Sequence, residues 1–207
     1  MRPFHLLLIL LVALAVKSDD YSFVVLSDMH IGESSLQTEL AQEVVTAINA
    51  KVARDNIRFV IITGDVSNTA QPAQLNEAKE ILDNLTIPYL PLLGNHDVWT
   101  YNSTWEEPTP TGDALFAQTF ASVFESFPYG TLVYNNRTSW DPLLNITSWY
   151  QNWELQYDQT IFYGLDWNTR WHAVYALGYL GAMPGCALHS FPGGTILHSY
   201  LARNKIN

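Results

Sequence analysis

Short apolar runs alternate with amphipathic stretches along the first hundred residues. The runs predict buried strands over 21–27, 57–62 and 87–93, and the last of these contains two prolines, which restrict its pairing. Between them, the recurrence of apolar residues predicts one helix over 36–54 and another over 72–85. The order strand, helix, strand, helix, strand indicates an α/β layered domain whose central sheet is mainly parallel.

The first helix is expected to bury an apolar stripe that recurs every four residues: Leu36, Leu40, Val44, Ile48 and Val52. Ser34 or Ser35 can cap its start, and Pro72 suits the first turn of the second helix. A third helix is predicted over 113–127. Residues 129–158 have a poor pattern and are interpreted as an insertion. Strand character returns over 160–166 and 171–177.

Composition supports one folded domain. The chain has 207 residues, of which 48% are hydrophobic and 14% charged, so it can bury a substantial core. Its formal net charge of −10 makes nucleic acid a poor partner, because an acidic surface repels phosphate backbones.

The first 18 residues have the pattern of a secretory signal peptide. Arg2 and His5 precede an unbroken apolar run of 11 residues over 6–16, which is short for a membrane span of about 20. The alternatives are an uncleaved anchor and a buried first strand. On the signal-peptide interpretation, the folded domain spans 19–207 and has no transmembrane anchor.

Other sequence features agree with a secreted protein. The N-x-S/T glycan acceptors are Asn84, Asn102, Asn136 and Asn145. The predicted location is therefore the cell exterior or the lumen of a lysosome or vacuole. Cys186 is the single cysteine, so it is a buried thiol, an interchain partner, or one whose partner lies outside this chain.

Each of the three predicted strands ends in polar residues. Asp28 and His30 follow the first strand, and in extended backbone their side chains point the same way. A carboxylate and an imidazole together can hold a divalent transition metal. Asp65 follows Gly64 directly after the second strand, and its two oxygens can bridge two cations.

The third strand leads into Gly94-Asn95-His96-Asp97. The Asn95 carbonyl oxygen can ligate a metal, His96 can act as an acid, and Asp97 can orient and charge that imidazole. The alternative is a polar turn in which Asp97 caps the following segment. Because ligands of open α/β sheets bind beyond the carboxyl ends of the strands, we expect these side chains to meet in one pocket.

This ordered set resembles the signature of the calcineurin-like metallophosphoesterase family, D-x-H, then G-D, then G-N-H-[ED]. The resemblance covers 21–97 well and extends weakly to Gly164-Leu165-Asp166. It implies a hydrolase of phosphomonoesters or phosphodiesters that uses two divalent transition metal ions (Mn, Zn or Fe). Its substrates would be small-molecule or lipid phosphoesters.

The resemblance also implies residue roles. Asp28 and His30 would ligate the first metal, Asp65 would bridge both metals, and Asn95 would ligate the second. His96 would protonate the leaving group or stabilise the transition state, with help from Asp97. Two such ions can activate a water and neutralise charge on both oxygens of an in-line displacement.

The chain departs from the family pattern after His96. The family completes its site with later histidines, ending in G-H-x-H, whereas this chain has only His172, His189 and His198, none in that pattern. We therefore expect a C-terminally truncated member, in which closing strands are missing and the second metal binds weakly. The alternative function is a catalytically inactive secreted glycoprotein on a truncated phosphoesterase scaffold. Trp99 and Trp105 would line the substrate pocket or pack in a loop.

Overall fold

The protein builds two β-sheets with helices beside them. A computed structural model describes residues 20–98, 110–141, 146–166, 168 and 200–204. The element order is β1 Ser22–Leu26, α1 Ser35–Asn49, β2 Ile57–Ile62, α2 Pro72–Leu82, β3 Tyr89–Pro91, α3 Asn95–Val98, α4 Gly112–Glu125, β4 Thr131–Asp141, β5 Ile146–Tyr157, β6 Thr160–Gly164 and β7 Tyr200–Asn204.

The first sheet is parallel and has the order β1-β2-β3. Its central strand β2 has the predicted bounds and is buried on both faces, as its continuous apolar sequence requires. β1 and β3 are shorter than predicted, yet all three strands end at the same edge of the sheet. The polar segments that follow them therefore lie side by side.

Helices α1 and α2 connect these strands, as predicted. The Ser34 hydroxyl caps α1 by accepting a hydrogen bond from the Gln37 backbone N–H, and Pro72 lies in the first turn of α2. α1 stops at Asn49, and the predicted continuation over 50–54 consists of hydrogen-bonded turns.

The predicted buried stripe of α1 was wrong over its first half. Leu36, Leu40 and Val44 are exposed, whereas Ile48 is buried as predicted, together with Ala41 and Val45. A four-residue interval exceeds the helical repeat of 3.6, so an every-four stripe rotates around the helix. Such a stripe cannot face the core along its whole length.

The second sheet is antiparallel, in the order β4-β5-β6-β7. It includes most of 129–158, where the poor pattern predicted no strand; the interpretation of this stretch as an insertion stays a prediction. The strand signal is present in β5, where buried Gln151, Trp153 and Leu155 alternate with more exposed neighbours. The predicted strand over 160–166 is confirmed as β6.

Aromatic side chains join the two sheets. Phe162 of β6 makes edge-to-face contacts with Phe23 of β1 and Phe59 of β2, with ring centroids 5.0 and 5.4 Å apart. Tyr21 and Tyr157 pack in the same way at 4.7 Å. These contacts are consistent with the layered α/β fold and hold the second sheet against β1 and β2.

Several predictions concern residues that the structure does not describe. They are the signal peptide, the strand over 171–177, the acceptors Asn102 and Asn145, and Cys186. The domain boundary at residue 19 and the missing closing strands stay predictions. Among the described residues, no helix has the length and apolar character needed to cross a membrane.

Candidate metal centre

Backbone hydrogen bonds join the segments that follow β1 and β2. The N–H of Asp28 donates to the Gly64 carbonyl at 3.2 Å, and the N–H of His30 donates to the Asp65 carbonyl at 2.9 Å. A short parallel bridge between Ile31 and Ser67 continues this pairing. The two segments therefore behave as one unit, with their polar side chains at the carboxyl edge of the sheet.

The segment after β3 meets this unit at two glycines. A Cβ on Gly94 would lie 2.0 Å from Oδ1 of Asp65, and a Cβ on Gly64 would lie 2.6 Å from the Gly94 Cα. Gly64 also has a φ of +109°, which strains any other residue. Side chains at these positions would push apart the backbones that carry the candidate ligands.

Three candidate ligands have left-handed backbone conformations. The φ angles are +58° at Asp28, +47° at His30 and +52° at Asp65. The extended backbone expected at Asp28 and His30 is therefore wrong, because the chain curls to pair with the next segment. Left-handed non-glycine residues are uncommon, and they concentrate at functional sites.

His30, Asp65 and His96 form a cluster whose potential ligand atoms all lie within 4.8 Å of one another. Nε2 of His30 lies 3.9 Å from Oδ2 of Asp65, and the two imidazole rings meet edge to face with centroids 4.5 Å apart. Two imidazoles and a carboxylate at this spacing suit a divalent transition metal. The donor set thus fits one divalent metal ion, and it includes His96, which the sequence analysis expected to act as the acid.

Asp28 and Asn95 lie at the margin of this cluster. Oδ1 of Asp28 is 3.7 Å from Nε2 of His30, and the Asp28 side chain is 64% exposed. Asn95 is half-buried and opens α3, one residue before His96. Asp28 is thus beside the three clustered ligands, on their solvent side.

His96 is fixed through two contacts. Its backbone N–H donates to Oδ1 of Asp65 at 2.9 Å, and its Nδ1 lies 2.6 Å from the Asn68 carbonyl oxygen. A carbonyl oxygen only accepts, so Nδ1 carries the hydrogen in this contact. Nε2 is therefore the ring nitrogen through which His96 can ligate a metal or transfer a proton.

Asp97 has a different set of partners from the one predicted. Oδ1 of this fully buried residue accepts from the N–H and hydroxyl of Ser67, at 2.8 and 2.7 Å. Oδ2 accepts from the N–H groups of Val66 and Gly94, at 3.1 and 3.0 Å. The carboxylate therefore joins the segments after β2 and β3, and the Asn68 carbonyl takes the place at Nδ1 of His96 that we expected for Asp97.

Burial raises the pKa of Asp97 to about 6, with a smaller contribution from the nearby Asp65 charge. The hydrogen bonds from Ser67 and Gly94 oppose this rise because they stabilise the anion. The Asp97 carboxyl group therefore changes its protonation state close to neutral pH.

The sequence missed two residues that shape the site. Ser67 carried no signal, because a serine two residues after an aspartate is common in turns. Asn68 acts through its backbone carbonyl, which every residue type has. Other candidates cannot be placed, since Trp99, Trp105 and the three later histidines lie outside the described residues.

Comparison with known proteins identifies the family. A sequence model of the calcineurin-like phosphoesterases matches residues 21–202. A search of curated proteins found no significant match. The matched range includes the parallel sheet, nearly all of the antiparallel sheet and every residue of the cluster.

Proposed function

Because the chain belongs to the calcineurin-like phosphoesterase family, we propose that it hydrolyses phosphomonoesters or phosphodiesters at a centre for two divalent transition metal ions. The observation that carries this proposal is the cluster of His30, Asp65 and His96 at the carboxyl edge of the parallel sheet. Family membership supports metal-dependent phosphoester hydrolysis in general. The class of ester and the number of ions are the finer parts of the proposal.

In this proposal, Asp28 and His30 hold one ion, Asp65 contacts both, and Asn95 holds the second. Bound Mn, Zn or Fe ions would supply an activated water and neutralise charge on the phosphoryl oxygens. The exposure of Asp28 supports a ligand at the mouth of the site, where a substrate enters.

His96 is the proposed general acid. Its Nδ1 is held at the Asn68 carbonyl, so Nε2 is the atom that would give a proton to the leaving-group oxygen. Asp97 is proposed to act indirectly, because its carboxylate joins the segments that carry Asp65 and His96. Together these contacts would keep His96 and Asp65 at a fixed distance and orientation.

The test is hydrolysis of an aryl phosphate monoester and diester, with Mn²⁺ or Zn²⁺ added to metal-free protein. Asp65→Ala and His96→Ala should each remove at least about 99% of the activity, since general acid catalysis alone contributes about 10²–10⁴-fold. Asp158→Ala is the matched control, because Asp158 is exposed and also left-handed, with a φ of +51°.

Full activity in both site variants would refute the site assignment. A folded wild-type protein that binds no metal by elemental analysis, and hydrolyses neither ester, would favour the alternative of an inactive scaffold.

The proposed location is the cell exterior or the lumen of a lysosome or vacuole. The acceptors Asn84 and Asn136 are exposed, which supports glycan attachment at both. Expression through a eukaryotic secretory route should give a chain whose mass falls on glycosidase treatment. Asn84→Gln and Asn136→Gln should each remove one glycan, and a single mass before and after treatment would contradict this assignment.

A further inference from the structure

Within the described part of the chain, β3 pairs with β2 alone, and we call its other edge the open edge. The Pro88 carbonyl and the Leu92 N–H both bond to β2, so the residues of even number face that strand. Because successive backbone groups of a strand point to opposite sides, those of Pro91 and Leu93 face the open edge. Proline suits this position, since it has no N–H that would need a partner there.

Side chains from β5 and from the segment after β6 bind this open edge. Nε1 of Trp153 donates to the Pro91 carbonyl at 3.3 Å, and Nδ2 of Asn168 donates to the Leu93 carbonyl at 2.8 Å. Leu93 immediately precedes Gly94, where the candidate site begins. The Asn168 amide thus holds the last carbonyl before the turn that carries Asn95 and His96.

Asn168 is itself held by Asp166. Oδ1 of Asp166 accepts from the backbone N–H of Asn168 at 3.2 Å, and from Nδ2 at 3.4 Å. The Asp166 backbone N–H donates to the Asn152 side chain at 2.9 Å, and Oδ2 accepts from the Gln151 N–H at 3.1 Å. The amide that reaches β3 is therefore anchored to the second sheet and oriented before it meets Leu93.

We propose that Asn168 is a positioning residue for the metal centre: by fixing the Leu93 carbonyl, it sets where Asn95 and His96 lie relative to Asp65. This inference rests on the proposed function. An amide is the required chemistry, because one side chain must donate to the Leu93 carbonyl while facing the Asp166 carboxylate. An aspartate at 168 would present an acceptor to both.

The experiment compares Asn168→Ala and Asn168→Asp with Asn49→Ala. Asn49 is a matched control, since its amide likewise donates to a backbone carbonyl, that of Asn84 at 2.8 Å, and it accepts from the N–H of Thr86, which precedes β3 at the end away from the candidate site. The first readout is amide hydrogen exchange over 94–98 in metal-free protein. We expect about tenfold faster exchange at His96 in both Asn168 variants, and little change in Asn49→Ala.

The second readout is the dissociation constant for Mn²⁺, with thermal unfolding as the check on folding. Supporting contacts around metal ligands typically contribute about 10–100-fold in affinity, so we expect that loss in the Asn168 variants and little loss in Asn49→Ala. A purely structural role would instead lower unfolding temperature and metal affinity in parallel across all three variants.

The outcomes separate this inference from the proposed function. Asn168 variants that match Asn49→Ala in exchange and Mn²⁺ binding overturn the positioning role, even if the wild type is an active enzyme. A wild type that binds no Mn²⁺ and hydrolyses no ester refutes the proposed function and, with it, any role for Asn168 toward a metal. In that case, faster exchange at His96 would show only that the contact between Asn168 and Leu93 stabilises the local structure.

Discussion

The backbone N–H of His96 donates to the side-chain oxygen Oδ1 of Asp65 at 2.9 Å. The residue proposed as the acid is thereby joined to the residue proposed to contact both metals. This hydrogen bond joins a main-chain N–H to a carboxylate, so it does not depend on the rotamer of the imidazole. The predictions below follow from this coupling and from the contacts around it.

Ser67→Ala should destabilise the protein by about 1–3 kcal/mol, because it removes a buried hydrogen bond to Asp97 and leaves the Ala70 N–H without its hydroxyl acceptor. Urea unfolding measures the effect. Ser126→Ala is the control, since its exposed hydroxyl bonds only within the end of α4, and it should change stability by less than about 0.5 kcal/mol. Equal effects of the two substitutions would contradict the role given to Ser67.

Stability of the metal-free protein should fall as pH rises from about 4 to above 6. The pKa of Asp97 in the folded protein is about 6 against an ordinary value of 3.8, so folding favours the protonated acid. Its contribution is fully present below about pH 4 and is lost as pH rises through about 6, a change of up to about 3 kcal/mol. Urea unfolding in the presence of a chelator, from pH 4 to 8, checks this direction.

Asp97→Asn serves as the reference for this pH dependence, because an amide does not titrate. The variant is expected to be less stable overall, since its NH₂ group would face backbone donors. The difference between the two pH profiles is the relevant quantity. Parallel profiles for the wild type and Asp97→Asn would show that Asp97 does not titrate as stated.

Gly94→Ala should lower both stability and metal affinity, because its Cβ would lie 2.0 Å from the Asp65 side chain and 2.1 Å from its backbone nitrogen. Overpacking of this kind typically costs about 1–3 kcal/mol. Gly32→Ala is the control. Its Cβ would meet only the flexible side chain of Gln74, so backbone strain at its φ of +97° is the main cost, about 1 kcal/mol. Metal affinity should be lost in the first variant and retained in the second.

Asp65→Ala should weaken Mn²⁺ binding more than Asp28→Ala. Asp65 belongs to the compact cluster, whereas the Asp28 side chain is 64% exposed and lies at its margin. In the wild type, Mn²⁺ at a hundred times its dissociation constant should stabilise the fold by about 2.7 kcal/mol. Calorimetric titration gives the order of affinities, and an Asp28 variant that binds more weakly than the Asp65 variant would contradict it.

The sequence predicted the parallel sheet and the convergence of its polar ends, because continuous apolar runs and turn glycines are local signals. It failed for the antiparallel hairpin of β4 and β5, where exposed polar residues such as Asn135 and Asn136 obscure the alternation. It also placed Leu40 in the core. Leu40 is exposed, because a stripe that recurs every four residues rotates around the helix.

Within the site, residue types and spacing identified His30, Asp65 and His96, which the structure brings together. The partners of Asp97 could not be predicted, because three of its four donors are backbone N–H groups. Their positions depend on how two separate turns pack. The Asn168 contact was equally inaccessible, since it joins residues 75 positions apart.

The left-handed backbone at Asp28, His30 and Asp65 restricts which amino acids these positions tolerate, apart from any catalytic requirement. In a library selected only for soluble expression, without a screen for turnover, valine and isoleucine should still be depleted at all three positions, while glycine and asparagine persist. The amino acids tolerated at these positions would then depend on the backbone conformation of the loops as well as on catalysis. Comparison with a library that is screened for turnover would separate the two requirements.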